Sequence, residues 1–226
     1  GYAPENTLAS FRCAKKCGTS WIEFDVKDTQ DGELIIIHDD DVKRTTNGQG
    51  LVAQMTYEEI KKLDAGSWFD FSFKNERIPS LKETFSILKE LNLNANIEIK
   101  PCPNKDISTA KLVVEFIDSH WPNTLPPPLV SSFSLQSLQE VRRLNQKINI
   151  GVLFEELPKN WKEISKQFNP VSINLDNVLI NKQIINEIHA EGWLALVYTV
   201  NDVNRAKELF SLGVDSIFTD YPSMVL

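Results

Sequence analysis

The feature that most constrains this chain is the alternation of strand-like and helix-like segments after residue 80. Apolar runs of strand length are separated by longer runs with apolar residues every three or four positions. The predicted order is helix 81–91, strand 95–100, helix 108–119, strand 129–132, helix 135–145, strand 148–154, helix 161–168, strand 171–175, helix 181–191, strand 194–200, helix 203–212 and strand 216–219. Such alternation predicts right-handed crossovers and a parallel sheet.

The segment before residue 80 adds a helix, a strand and a hairpin. Strands over 21–26 and 33–38 flank the Asp31-Gly32 pair, which is a strong hairpin signal. Residues 39–79 are polar and rich in turns, and we expect a small insertion there. The whole chain, 1–226, is predicted to form one domain around a single barrel.

The number of strands favours a closed barrel over an open sheet. Seven strands remain when the second hairpin arm is set aside, and the opening helix, capped by Asn6 or Thr7, requires a strand before it. Eight strands with intervening helices predict an α/β protein of the TIM (β/α)8 barrel class, with its first strand missing from this sequence. Neither a Gly-rich dinucleotide fingerprint nor a P-loop follows any predicted strand, which weakens the open-sheet alternative.

Charge and cysteine content restrict the partners and the compartment. The chain has 24 Lys and Arg against 31 Asp and Glu, giving a formal charge of -7, so we expect no nucleic-acid partner. No apolar run reaches the 18 residues of a membrane span, so we expect no stable membrane insertion. Three cysteines form no even disulfide set, and no nearby His completes a metal site, which favours reduced thiols in the cytoplasm.

Carboxylates are concentrated at the ends of two predicted strands. Glu23 and Asp25 are two residues apart, so they point to one face of their strand, and Glu98 and Lys100 repeat this spacing. Catalytic groups of barrel enzymes lie at the carboxyl ends of the strands, so these side chains are expected to converge at the mouth of the barrel. The alternative is that they are solvated residues of an exposed edge.

Converging carboxylates repel one another, and a hard divalent cation is the natural compensator. Glu23, Asp25 and Glu98 are therefore the predicted metal ligands, and an all-oxygen set selects Mg²⁺ or Ca²⁺. Lys100 could pair with a carboxylate, but beside a metal it could equally bind a substrate phosphate, which is the role that we predict.

His38 is the predicted catalytic histidine. With the hairpin turn centred on Asp31-Gly32, Asp25 falls opposite His38, which places an imidazole beside the carboxylates. A carboxylate partner and a defined orientation suit a general acid or base. His120 and His189 lie near helix ends, where dipole or capping roles suffice.

Together these segments resemble the glycerophosphodiester phosphodiesterase family, and residues 126–134 are similar to its bacterial cytosolic members. The resemblance rests on the order of several short stretches: Ala3-Pro4-Glu5-Asn6-Thr7-Leu8, Glu23-Phe24-Asp25-Val26, His38-Asp39, Arg44-Thr45-Thr46-Asn47-Gly48, Ile78-Pro79-Ser80-Leu81, Asn96-Ile97-Glu98-Ile99-Lys100, Thr199-Val200-Asn201 and Gly213-Val214-Asp215. It implies a TIM barrel, a mouth-covering insertion, metal ligands at Glu23, Asp25 and Glu98, a catalytic His38, and Lys100 near the phosphate. The family's opening His-Arg-Gly, with a second catalytic His, is expected before Gly1.

The resemblance implies metal-dependent hydrolysis of small glycerophosphodiesters, such as glycerophosphocholine and glycerophosphoethanolamine, to glycerol 3-phosphate and an alcohol. His38 would be acid or base. One alternative is a lysophospholipase D or phosphoinositide-type phosphodiesterase on the same barrel, which would require an apolar rim. The aromatic group Trp68, Phe69, Phe71 and Phe73 bears on this. It could form the core of the insertion, a membrane contact or a lid, and of these we expect the core. The other alternative is a catalytically silent binding protein.

Overall fold

A curled, mostly parallel sheet organises the protein in the computed structural model, which describes residues 1–224. The strands are β1 (Trp21–Asp28), β2 (Leu34–Ile36), β3 (Asn94–Ile99), β4 (Leu129–Ser132), β5 (Asn149–Phe154), β6 (Ser172–Asp176), β7 (Leu194–Tyr198) and β8 (Ser216–Ile217). Their order in the sheet is β2-β1-β3-β4-β5-β6-β7-β8. β2 is antiparallel to β1, and the later neighbours pair in parallel. Residues of β1 and β8 line one cavity, so the sheet curls back on itself.

The helices are α1 (Leu8–Lys16), α2 (Tyr57–Ile60), α3 (Leu81–Leu91), α4 (Asp106–His120), α5 (Leu135–Leu144), α6 (Trp161–Lys166), α7 (Lys182–Ala190) and α8 (Val203–Leu212). Five of the helices, α4 to α8, connect consecutive parallel strands, as the alternation predicts, while α1 precedes β1, α2 lies in the insertion and α3 precedes β3. Their ends follow from local chemistry: Ser80 and Glu83 form a reciprocal capping box at the start of α3, and Asn92 ends it in the left-handed conformation. Thr7, rather than Asn6, caps α1.

The core lies between the strands and the helices. Phe24 and Val26 of β1 and Ile97 and Ile99 of β3 are fully buried there, which leaves the alternate residues for the inside of the barrel. Among residues 1–224, β8 forms a ladder with β7 and none with β1. No helix in this part of the chain has the length and apolar character needed to cross a membrane. The last two residues of the predicted domain, 225–226, lie outside the described range.

The hairpin register differs from the prediction by one residue. Val26 lies opposite Ile36, and the Ile37 amide donates to the Asp25 carbonyl, so Asp25 faces Ile37 rather than His38. The physical reason is a three-residue loop, with Gly32 at φ +82°, in place of the two-residue turn. His38 follows the end of β2, so its orientation depends on side-chain contacts and not on the ladder.

The insertion has an apolar cluster separate from the main core. Its buried members include Val42, Val52, Ile60 and Ile78, which pack on residues of β2. The aromatic group is not this core: Trp68, Phe69 and Phe71 are 39%, 37% and 74% exposed and contact one another or Phe73 edge to face. The prediction that they form the core of the insertion is wrong, because shorter aliphatic side chains fill it. The 39–79 boundary and the single domain stay predictions.

Candidate active site

β1 and β3 place three carboxylates next to one another. The two strands pair in parallel with Asp25 opposite Glu98, and Glu23 lies on the same face of β1 as Asp25. One carboxylate oxygen from each of Glu23, Asp25 and Glu98 lies within 4.8 Å of the other two. This separation allows a single hard cation to contact all three, since metal–oxygen distances are about 2.0–2.6 Å.

Burial and mutual repulsion act against ionisation in this cluster. Burial, together with the charge of Asp25, raises the pKa of Glu98 to about 7. Glu23 is accessible through the cavity, yet surrounding protein and the charges of Asp25 and Glu98 raise its pKa well above the ordinary value. Oε1 of Glu98 is buried and has no hydrogen-bond partner among residues 1–224. These are the properties of oxygens arranged for a cation.

Lys100 supplies the positive charge nearest to the three carboxylates. Its Nζ lies 3.5 Å from Oδ1 of Asp25 and 3.3 Å from Oε1 of Glu98, the latter without hydrogen-bond alignment. Burial would lower the pKa of Lys100, but the carboxylates outweigh burial and raise it. Lys100 therefore remains an ammonium, which leaves the three carboxylates only partly compensated.

Asn6 orients Asp25 from the segment before α1. Its Nδ2 donates to Oδ2 of Asp25 at 2.8 Å, and its Oδ1 accepts from the Asp25 amide at 3.2 Å. Asn6 achieves this in a left-handed backbone conformation with φ +55°. The sequence indicated only a cap at Asn6 or Thr7. Of these two polar residues, Thr7 forms the cap, and Asn6 contacts the carboxylate.

His38 contacts two groups at the edge of the cluster. Its Nδ1 lies 2.7 Å from Oδ1 of Asp39, and its Nε2 lies 2.8 Å from Nζ of Lys100. A carboxylate only accepts and an ammonium only donates, so these partners select the neutral imidazole with its proton on Nδ1. Nε2 then presents a lone pair towards Lys100. The ring is thus linked to the carboxylates through Lys100 and not by pairing with Asp25.

Asp39 is held on its other side by Arg44. The Arg44 guanidinium donates from Nε to Oδ2 of Asp39 at 2.7 Å and from Nη2 to Oδ1 at 2.9 Å. These bonds, with that of His38, hold the pKa of Asp39 below its usual range. Arg44 also donates to both oxygens of Glu5, at 2.8 and 2.7 Å. Neither Arg44 nor Glu5 was a candidate from sequence reasoning, and the only signal was their position in family-like stretches.

The base of the site is fixed by a buried lysine that the sequence analysis did not single out. Lys27 is 1% exposed and donates to Oδ1 of Asp40 at 2.8 Å and to the Lys100 carbonyl at 2.9 Å. It joins the loop after His38 to the end of β3. His120 and His189 lie elsewhere: His120 stacks on Phe116, and His189 contacts Asp215 at 2.8 Å.

Glu23, Asp25 and His38 open onto a cavity of about 960 Å³. The cavity has the size of small-molecule sites. Its lining near the mouth includes Glu23, Asp25, His38, Arg44 and Thr199. Glu23, Asp25 and His38 line this cavity, and Glu98 and Lys100 lie in contact with that group. Carboxylates, an ammonium and an imidazole next to one another suit the binding of a cation and a phosphate, with proton transfer at Nε2.

The chain matches a known protein family over nearly its whole length. Residues 1–224 match the model of the glycerophosphoryl diester phosphodiesterase family. This chain belongs to that family. It is accordingly a phosphoric diester hydrolase with a TIM-barrel fold, which confirms the fold class and the enzyme class predicted from the sequence.

Individual relatives are similar over almost the whole chain. YhdW of Bacillus subtilis (strain 168) is 37% identical, with 100% of this chain and 93% of the relative covered. The glycerophosphodiester phosphodiesterase of Caldanaerobacter subterraneus subsp. tengcongensis is 34% identical, covering 99% and 91%. A phosphodiesterase of Oleispira antarctica, solved in complex with the product sn-glycerol-3-phosphate, is 35% identical with a TM-score of 0.95, covering 99% of this chain and 90% of that chain.

Proposed function

We propose that this enzyme hydrolyses small glycerophosphodiesters, such as glycerophosphocholine and glycerophosphoethanolamine, to glycerol 3-phosphate and an alcohol, in a reaction that depends on Mg²⁺ or Ca²⁺. The observation that supports this most directly is the contact of Lys100 with His38 on one side and with Asp25 and Glu98 on the other. The product bound to the Oleispira relative is the expected product.

Glu23, Asp25 and Glu98 are the proposed ligands of the cation. When ionised, the three carboxylates carry two more charges than Lys100 balances, so one divalent ion would neutralise the cluster. All three ligands are hard oxygens, which favours Mg²⁺ or Ca²⁺ over thiophilic metals. When bound, such an ion polarises the phosphate oxygens and stabilises the charge that develops on them.

His38 is the proposed acid-base residue. With its proton on Nδ1, the ring can accept a proton at Nε2 from the hydroxyl group that attacks phosphorus. The oxygen–phosphorus bond to the attacking group would form as the bond to the leaving oxygen breaks, and the leaving oxygen would take up a proton from water and depart as the alcohol. Asp39 then faces an imidazolium, which its carboxylate stabilises.

Lys100 is the proposed phosphate-binding residue. Its ammonium contacts the carboxylate cluster and the imidazole, so a phosphate next to both would lie beside it. The net charge of -7 repels phosphate diesters at long range, so local positive charge has to hold the substrate. Lys100 and a divalent cation would supply it.

The direct test measures glycerol 3-phosphate release from glycerophosphocholine, first in EDTA and then with Mg²⁺ or Ca²⁺ added. We expect release only with metal, and none from Asp25→Asn. Equal release in EDTA would contradict the metal site. Failure of the folded protein to release product with either metal would contradict the substrate.

A second candidate substrate is a lysophospholipid, because residues that follow the carboxyl ends of two strands have exposed apolar side chains. Phe133 and Leu135 after β4 and Val178 after β6 are 39%, 37% and 78% exposed. These residues could contact an acyl chain. Turnover of lysophosphatidylcholine, compared with glycerophosphocholine at equal concentration, tests this alternative.

The proposed location is the cytoplasm. Cys13, Cys17 and Cys102 are unpaired thiols, as expected in a reducing compartment. The proposed partner is the small glycerophosphodiester substrate, without nucleic acid or stable membrane insertion. Labelling of the three thiols in intact cells, together with detection of the protein in cell fractions, would test the proposed location.

A further inference from the structure

A carboxylate–guanidinium–carboxylate arrangement lies beside the proposed catalytic histidine. Glu5 comes from the segment before α1, whereas Asp39 and Arg44 come from the beginning of the insertion. Arg44 donates four hydrogen bonds of 2.7–2.9 Å to the two carboxylates. We call Glu5, Arg44 and Asp39 the arginine clamp.

The geometry of the arginine clamp distinguishes it from an ordinary surface ion pair. Exposed pairs contribute little unless they are bidentate or networked. Arg44 is bidentate to both carboxylates, and its side chain is 47% exposed, against 28% for Asp39 and 39% for Glu5. Planar guanidinium–carboxylate pairs of this kind fix orientation as well as distance.

Arg44 has little capacity left to bind substrate. A guanidinium has five N–H donors, and the hydrogen bonds to Glu5 and Asp39 occupy four of them. The pKa of Arg44 is raised, chiefly by hydrogen bonds to Glu5 and Asp39. A cavity-lining arginine is easily taken for a phosphate ligand, but here its donors point to carboxylates.

We propose that the arginine clamp positions His38, with Arg44 acting through Asp39 to hold the imidazole proton on Nδ1. Asp39 can accept from Nδ1 only while its carboxylate keeps its present orientation, which two Arg44 bonds fix. Arg44 is thus a positioning residue and touches no reacting atom. The kinetic consequence rests on the proposed function, whereas the effect on the His38 tautomer does not.

Charged groups face both ring nitrogens of His38. Asp39 faces Nδ1 and Lys100 faces Nε2, while Asp25 and Glu98 lie behind Lys100. Lys100 also favours the Nδ1 proton, because an ammonium can only donate to Nε2. Loss of the clamp should therefore weaken the tautomer preference without inverting it.

The kinetic test compares Arg44→Met, Asp39→Asn and the double variant on glycerophosphocholine with saturating metal. We expect Arg44→Met to lower kcat about tenfold to thirtyfold and to leave KM within twofold, because substrate binding is unaffected. In the Asp39→Asn background, Arg44→Met should lower kcat by less than twofold, because both substitutions disturb the same contact between Asp39 and His38. A tenfold rise in KM, or equal losses in both backgrounds, would show that Arg44 binds substrate and would overturn the proposal.

Arg77→Met is the matched control. Arg77 lies in the same insertion and donates to the carbonyls of Lys62 and Leu63, so its hydrogen bonds within residues 1–224 support the insertion and go to neither Asp39 nor His38. We expect unchanged kcat. If Arg77→Met lowers kcat as much as Arg44→Met at equal thermal stability, general loosening of the insertion explains the effect and the proposal fails. If Arg44→Met does not fold, Glu5→Gln replaces it, with a smaller decrease in kcat expected.

A spectroscopic readout separates this inference from the proposed function. Long-range ¹H–¹⁵N spectra report which ring nitrogen of His38 holds the proton, and His38→Ala assigns the signals among the three histidines. We expect the Nδ1–H tautomer in the wild type and a mixture in Arg44→Met. An unchanged tautomer would refute the arginine clamp even in an active enzyme. A changed tautomer in a protein without diesterase activity would support it and contradict only the substrate.

Discussion

On the β1–β3 side of the mouth, three carboxylates face one lysine, whereas on the insertion side one arginine faces two carboxylates and bonds to both. Glu98 has a raised pKa and a buried oxygen without a hydrogen-bond partner in residues 1–224, while Asp39 has a lowered pKa and hydrogen bonds to both of its oxygens. Unsatisfied buried charge indicates a ligand, and satisfied charge indicates a fixed geometry. The first region is suited to binding a cation, and the second to orienting a side chain.

The largest loss of turnover is expected from Asp25→Asn, which removes one proposed cation ligand from the β1–β3 side of the mouth. The substitution keeps the size of the side chain but removes one ligand charge, and an amide is a poorer ligand for a hard cation. We expect turnover to fall by more than about 10⁴-fold together with metal affinity. Calorimetric titration with Mg²⁺ and the rate of glycerol 3-phosphate release measure the two effects.

The control for this variant is Asp70→Asn in the insertion, where the carboxylate accepts from the amide and the hydroxyl of Ser72. It should leave turnover and metal affinity unchanged. Metal affinity within threefold of wild type in Asp25→Asn would remove Asp25 from the ligand set.

His38→Gln is expected to have the next largest effect and to separate the two regions. The amide can still contact Asp39 but cannot accept and release a proton, so kcat should fall by about 10³- to 10⁴-fold. Metal affinity should not change, because within residues 1–224 His38 bonds to Asp39 and Lys100 and to none of the three carboxylates. His120→Gln is the control. A parallel loss of metal binding in His38→Gln would mean that the two regions are not independent.

Sequence reasoning could place the first region but not the second. The spacing of Glu23 and Asp25 on one strand, and of Glu98 and Lys100 on another, determines the face on which each lies, because strand side chains alternate. Adjacent parallel strands then bring them together at one end of the sheet. The alternation of side chains along a strand and the order of the elements are enough to predict that these residues meet.

The second region depends on loops, for which no period exists. Glu5, Asp39 and Arg44 meet because the insertion folds against the segment before α1, and their spacing in sequence gives no indication of this. The hairpin shows the same difficulty on a smaller scale. Its strands were located, but a loop of three residues rather than two shifted the register by one and moved His38 away from Asp25.

Lys100→Met sharpens the comparison, because Lys100 contacts both regions. Loss of the ammonium should lower kcat/KM by about 10²- to 10³-fold if Lys100 stabilises the phosphate. The same substitution should tighten Mg²⁺ binding, because Lys100 competes with the ion for Asp25 and Glu98. Kinetics and calorimetry on one preparation measure both, with the exposed Lys82→Met as control. Weaker metal binding would show that Lys100 organises the ligands rather than competing with the ion.

The smallest expected effect is on the stability of the metal-free protein. Glu98 has a pKa of about 7 in the folded protein against an ordinary value of 4.5, so the folded state binds more protons than the unfolded state between these pH values. The free energy of unfolding should therefore fall as pH rises from 4.5 to 7, by up to about 3 kcal/mol, and level off above 7. Urea unfolding in EDTA across this range measures the slope.

Glu98→Gln should remove most of this slope, because the amide does not ionise, and should make the metal-free protein more stable than wild type at pH 8. Excess Mg²⁺ should reverse the order at the same pH, because the ion binds the folded wild type and stabilises it by mass action. An unchanged slope in Glu98→Gln would mean that the carboxylate is not strained without metal. The β1–β3 side would then be as well satisfied as the arginine clamp, and the contrast between the two sides of the mouth would no longer indicate a cation site.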